Sequence, residues 1–160
     1  RSISYGPRGQ LRGSFSLWAV MSNKPQVTVT RRLHFSAAHR VHNPAMSDEE
    51  NRRVFGKCNN PNWHGHNYIL DVSVTGTLDE RTGYVIDLSR VKQIVEERVI
   101  QHVDHRNLNL EVDFMRGIIP TTENVVVAFW RELEPALAPA RLTKLVLWET
   151  VNNHVEYEGR

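Results

Sequence analysis

The chain has 160 residues, enough for one ordinary domain with a buried core, and its 40% apolar and 24% charged residues are the composition of a soluble globular protein. No apolar run approaches the roughly 18 residues of a membrane span, and the single cysteine, Cys58, excludes an intrachain disulfide and makes the cytoplasm the expected compartment. The formal net charge of +2 is unevenly placed: Arg1, Arg8, Arg12 and Lys24 fall in residues 1–24 without a single acid, and setting them aside leaves 16 Lys and Arg against 18 Asp and Glu, a balance without the basic stripe of a nucleic-acid binder.

Residues 1–24, rich in Gly, Ser and Arg, show no sustained period and are expected to be disordered, or to be translated sequence upstream of a start at Met21. The composition also resembles an organelle transit peptide, a lesser alternative because the apolar residues cluster near the end instead of forming a stripe. Residues 25–160 are expected to form one domain. Val27, Val29, Leu33, Phe35 and Ala37 occupy odd positions of a half-buried strand, interrupted by Arg31, and His39 continues their face. A second strand is expected from about His66 to Thr77, with Tyr68, Leu70, Val72 and Val74 on its even face and His64 and His66 in phase with them. Residues 40–63 read as a long connection, and long connections in compact domains tend to be functional.

After a turn-rich stretch from Asp79 to Gly83, Tyr84 to Ile86 read as a short strand. Ser89 is the expected N-cap of a helix with Val91, Ile94, Val95 and Val99 on one face. Thr121 or Thr122 caps a second helix whose stripe is Val125, Ala128, Phe129 and Leu133, with Pro135 and Pro139 marking its end. Leu145 and Leu147 alternate and place Glu149 on their face at a strand end. Asn152 and Asn153 then turn into a last strand with Val155 and Tyr157. The order ββααββ predicts an α+β domain with its helices on one face of the sheet.

Antiparallel pairing of the first two strands would bring His39, His64 and His66 to one end and one side of the sheet. Alternate side chains of His64-Gly65-His66 point the same way on an extended backbone, and Gly65 allows close backbone approach. An isolated His-x-His is more often a surface or capping pair, but His39 in phase on the partner strand favours a metal site. Three imidazoles holding zinc leave a fourth position open, the pattern of a catalytic centre; a structural site with Cys58 as fourth ligand is the other option.

Phe35-Ser36-Ala37-Ala38-His39-Arg40, Phe55-Gly56-Lys57-Cys58-Asn59-Asn60-Pro61-Asn62, His64-Gly65-His66-Asn67-Tyr68, Asp104-His105-Arg106-Asn107-Leu108 and Thr121-Thr122-Glu123-Asn124 resemble, in order, the motifs of the 6-pyruvoyltetrahydropterin synthase family. The resemblance covers Val27 to Gly159. It implies the tunnelling fold, a four-stranded antiparallel sheet with two helices, trimeric barrels stacked into a homohexamer, and active sites between subunits. The activity it implies is the zinc-dependent lyase conversion of 7,8-dihydroneopterin triphosphate to 6-pyruvoyltetrahydropterin with release of triphosphate, in tetrahydrobiopterin biosynthesis.

Carried over by motif, His39, His64 and His66 would hold one Zn2+ per subunit, with Mg2+ accompanying the triphosphate. Cys58 would be the general base, Asp104 and His105 a relay contributed by a neighbouring subunit, and Glu149 the pterin anchor, assisted by Thr121, Thr122 and Glu123. A thiol needs a nearby cation to ionise at neutral pH, a carboxylate can support an imidazole in proton relay, and one carboxylate matches the paired N–H donors of a pterin. Arg40, Lys57 and Arg106 are candidates for the triphosphate. Three positions depart from the pattern of the animal members: Trp63 replaces a usual glycine, Arg106 a usual lysine, and His34 a serine found in mammalian members. The competing readings are a 6-carboxytetrahydropterin synthase, in which the cysteine usually precedes the first histidine of the pair by four positions instead of the six seen here, and a non-catalytic zinc-binding module of the same fold.

Overall fold

A computed structural model describes residues 24–160, so the expectations for the preceding segment lie outside the described residues. Strand β1 spans Gln26–His39, and its odd positions Leu33, Phe35, Ala37 and His39 are buried. Strand β2 spans His64–Thr77, starting two residues earlier than the sequence predicts, with Tyr68, Leu70, Val72 and Val74 fully buried. The two pair antiparallel with Phe35 opposite Tyr68, Ala37 opposite His66 and His39 opposite His64. On the reverse face the opposed residues are polar and bond to each other: Thr28 with Thr75 at 2.7 Å, Thr30 with Ser73 at 2.9 Å, and the Arg32 guanidinium bidentate to Asp71 at 2.7 and 2.8 Å. Directly opposed pairs of this kind fix register, because a one-residue slip would bury the polar set and expose the apolar one.

The connection between these strands is not structureless. It holds helix α1, Asp48–Phe55, followed by a 3-10 turn at Gly56–Asn59. Ser47 Oγ accepts from Glu50 N at 3.2 Å, and Asp48, Glu49 and Glu50 fill the first turn, favourable charge for a helix N-terminus. Its only buried residue is Asn51, so no apolar stripe reveals this helix.

Tyr84 to Ile86 form a bend, not a strand. Strand β2 already carries a neighbour on each side, and Asp79 closes a local turn instead, its carboxylate accepting from Arg81 N, Thr82 N and Thr82 Oγ1. Helix α2, Leu88–Val95, is capped by Asp87 and not by Ser89: Asp87 Oδ1 accepts from the Ser89 amide at 2.8 Å. It runs on through a π turn, Glu96–Ile100, into α3, Gln101–Val103, and buries the predicted Val91, Ile94, Val95 and Val99.

Strand β3, Arg106–Asn107, adds a short parallel partner to Ala37 and Ala38 at the edge of β1. Helix α4, Thr122–Leu137, is capped by Thr121, whose Oγ1 accepts from Asn124 N at 3.3 Å. Pro135 lies inside its last turns on the exposed side, and the helix ends where Pro139 forces Ala138 out of the helical region. Strands β4, Arg141–Trp148, and β5, His154–Tyr157, are joined by residues 149–153, a longer connection than a two-residue turn, with Thr150 Oγ1 accepting from the amides of Asn152 and Asn153.

The sheet order is β3-β1-β2-β4-β5, so the expected four antiparallel strands carry a fifth, parallel edge too short to leave a period in the sequence. Helices α2 and α4 cover the apolar face, where Val91, Val95, Val99, Phe129 and Leu133 meet Tyr68, Leu70, Val72, Leu145 and Leu147 in one core. Among the described residues no helix is long and apolar enough to cross a membrane.

Candidate metal and active site

The antiparallel register delivers His39, His64 and His66 to one end of the sheet on its covered face. Their ring centroids lie 4.4 to 5.2 Å apart, and one nitrogen from each falls within 4.8 Å of the others. His39 Nε2, His64 Nδ1 and His66 Nε2 are buried without a hydrogen-bond partner. Leaving three such atoms unsatisfied is costly unless an ion satisfies them together. Desolvation holds all three imidazoles below the ordinary histidine pKa, so they are neutral and ligand-competent at neutral pH. The donor set therefore fits a metal ion.

Two backbone features orient this set. His39 Nδ1 faces the carbonyl oxygen of Pro120 at 2.8 Å, which assigns the proton to Nδ1 and aims Nε2 inward, as outer partners of metal-binding histidines do. The same bond draws the start of α4 against the site. At Gly65, between the other two ligands, any Cβ would meet Ala37 O at 3.0 Å, so the close strand approach inferred from the sequence is present.

Glu149 follows β4 immediately and turns toward the histidines: its Oε1 lies 3.6 Å from His39 Nε2 and 3.7 Å from His66 Nε2. These two contacts are longer than hydrogen bonds, and no group among the described residues hydrogen-bonds to its carboxylate. Tyr68, next on the histidine face of β2, is fully buried, stacked on Phe35 at 4.8 Å, and its hydroxyl lacks a partner. Burial first, then the charges of Glu149 and Cys58, push that hydroxyl's pKa upward.

Cys58 is exposed on the 3-10 turn and lines a cavity of about 620 Å3 with Lys57, His64 and His66. Its place depends on Asn59, a buried residue that sequence reasoning passed over. The Asn59 carboxamide donates to Val41 O at 2.8 Å and meets His42 Nδ1 at 3.0 Å, while its carbonyl groups accept from Arg40. Val41 N in turn donates to Cys58 O at 2.9 Å. The metal-competent cluster contains the three histidines without Cys58.

Asp104 and His105 are not members of the metal-competent cluster, although His105 and His66 line one cavity. Their side chains meet at 3.0 Å, Asp104 also accepts from Ser36 N at 2.8 Å, and His105 adopts a positive φ of 58°. The Ser36 amide, then His105, lower the Asp104 pKa. His105 is 82% exposed and lines a second cavity, about 510 Å3, with Ser36, Ala38, Gly65 and Asn67. Of the stretch expected to assist Glu149, Thr121 spends its hydroxyl on the helix cap, Thr122 is buried and Glu123 is exposed. Among the basic candidates, Arg40 is bound to Asn59 and Arg106 pairs with Glu111 at 3.4 Å, which leaves Lys57 facing the Cys58 cavity.

Comparison with known proteins agrees with this architecture. The family described as 6-pyruvoyl tetrahydropterin synthase matches residues 28–160. A Homo sapiens 6-pyruvoyl tetrahydrobiopterin synthase is 46% identical over 134 residues, 84% of this chain and 92% of that protein. The Drosophila melanogaster protein of the same name is 41% identical over 140 residues, 87% of this chain and 83% of the relative. The solved structure of Caenorhabditis elegans 6-pyruvoyl tetrahydropterin synthase superposes with a TM-score of 0.83 at 41% identity, covering 88% of this chain and all of that one. By the family match over residues 28–160, the identity to its relatives and the shared tunnelling fold, the chain belongs to the 6-pyruvoyl tetrahydropterin synthase family.

Proposed function

We propose that the protein converts 7,8-dihydroneopterin triphosphate to 6-pyruvoyltetrahydropterin, releasing triphosphate, in tetrahydrobiopterin synthesis. The observation that carries the reading is the set of three unpartnered, buried histidine nitrogens beside a cavity that Cys58 shares. His39, His64 and His66 would hold zinc, which when bound supplies Lewis-acid polarisation of the substrate's side-chain oxygens.

The chain's own groups perform the remaining work. Cys58 Sγ, open to the cavity, takes a proton from the substrate side chain as general base. Glu149, with its carboxylate free of protein hydrogen bonds, receives the N–H donors of the pterin ring. Thr121, Thr122 and Glu123 stand at the start of α4, which follows the Pro120 carbonyl bonded to His39, and would assist Glu149 in holding the ring. Lys57 is the basic side chain best placed for the triphosphate, with Mg2+ as its counter-ion. The Asp104 and His105 pair is turned outward beside β3, which suits a relay lent to the site of a neighbouring copy. The short β3 covers β1 only at Ala37 and Ala38, leaving strand edge for such a copy, as the trimeric barrels of a hexamer require. The exposed thiol suits a reducing compartment, and we place the enzyme in the cytoplasm.

The test is product analysis with zinc-loaded protein and 7,8-dihydroneopterin triphosphate. The expected products are 6-pyruvoyltetrahydropterin and triphosphate. Carboxytetrahydropterin with acetaldehyde would assign the other synthase, and absence of triphosphate release would leave a zinc-binding module.

A further inference from the structure

Strands β2 and β4 pair with Leu70 opposite Leu147 and Ile69 opposite Trp148. Continued by one residue, that register sets Glu149 across from Tyr68, on the face that carries the histidines. Opposed residues of an antiparallel pair have Cβ atoms only about 5 Å apart, close enough for their side chains to meet.

Each member of this pair lacks what the other offers. The Tyr68 hydroxyl is a buried donor with no acceptor, and the Glu149 carboxylate is an acceptor with no hydrogen-bonded donor among the described residues, its nearest histidine nitrogens lying at 3.6 and 3.7 Å. At neutral pH a tyrosine hydroxyl is protonated and able to donate. The Tyr68 ring cannot swing elsewhere: it stacks on Phe35 with an interplanar angle of 9°, and its edges meet His66 and His39 at 5.6 and 6.2 Å. Glu149, 22% exposed at a strand end, is the partner free to move.

We propose that Tyr68 is a positioning residue for Glu149, its hydroxyl donating to the carboxylate and fixing the orientation in which Glu149 receives a ring bearing paired N–H donors. The inference rests on the reading of Glu149 as pterin anchor. It makes the row His64, His66, Tyr68 serve two ligands: the first two side chains address the metal, and the third addresses the organic ligand through its cross-strand neighbour.

The experiment measures binding of 7,8-dihydroneopterin, the ligand without its triphosphate, to the metal-loaded protein and to Tyr68→Phe, Glu149→Gln and the double variant. Tyr68→Phe should keep its metal content and its melting temperature while binding about tenfold more weakly, the size of one hydrogen bond to a charged group. In the Glu149→Gln background the same substitution should add little, because residues acting as one unit are non-additive. Additive losses, unchanged affinity, loss of metal or failure of Tyr68→Phe to fold would each overturn the proposal. A wild-type protein that binds no dihydroneopterin would instead overturn the pterin reading itself, which separates the two failures.

Discussion

At the scale of single residues, the ligand cluster and the proposed base make opposite predictions for substitution. His64→Ala removes one of three converging nitrogens, so metal content and activity should fall together. Cys58→Ala removes a group outside the cluster, so metal per chain, read by elemental analysis, should stay near wild type while product formation is lost. Equal metal loss in both would indicate a structural site with Cys58 as fourth ligand. Trp63 offers a different test. It holds a φ of 66°, a left-handed conformation that costs a side-chain-bearing residue about 1 to 2 kcal/mol and glycine almost nothing. Trp63→Gly should therefore change unfolding free energy by no more than about 1 kcal/mol in urea titration, although deleting a core indole commonly costs about 3 to 5 kcal/mol. The histidines and Glu149 were legible because strand phase exposes them. The polar roles of Pro120, Asn59 and Tyr68 were not: a carbonyl oxygen carries no signature, and a buried amide or hydroxyl shows its importance only when its missing or present partners can be seen.

At the scale of elements, what could be read depended on whether an element buries an apolar stripe. Strands β1 and β2 and helices α2 and α4 do, and their faces followed from periodicity. Helix α1 buries only Asn51, and its residues read in the sequence as part of a long connection. Strand β3 is too short for any period, and Tyr84 to Ile86 have strand-forming residues but pair with no strand. The connection around Cys58 is built from asparagine side chains bonded to backbone groups, a polar frame in place of a core. Asn51 ties Asn43, Met46 and Ser47 together, and Asn59 ties Val41 to the cysteine turn. Asn59→Ala should destabilise the fold by about 1 to 3 kcal/mol by stranding buried backbone groups. It should also lower turnover by more than it lowers metal content, since the histidines lie on the strands and the thiol on the braced loop; thermal denaturation and elemental analysis separate the two effects.

At the scale of the whole molecule, the buried imidazoles couple stability to pH. Desolvation keeps His39, His64 and His66 below the ordinary value of 6.5, whereas in the unfolded chain they return to it. Unfolding below that value takes up protons, so the stability of the metal-free protein is fully present above about pH 6.5 and falls as pH drops through the window beneath it. Asp104, lowered from 3.8, adds a loss only in more acidic solution. Melting curves of metal-free protein between pH 5 and 8 should show the decline, and saturating zinc should raise the melting temperature at neutral pH by mass action. The bond from His39 to Pro120 carries this coupling further. One candidate ligand sits at the end of β1 and two at the start of β2, so the three nitrogens converge only once the hairpin has closed, and the first takes its ring orientation from the chain just before α4. Cobalt taken up during refolding would thus colour no sooner than the two strands pair, and its absorbance would serve as a clock for the closing of the hairpin.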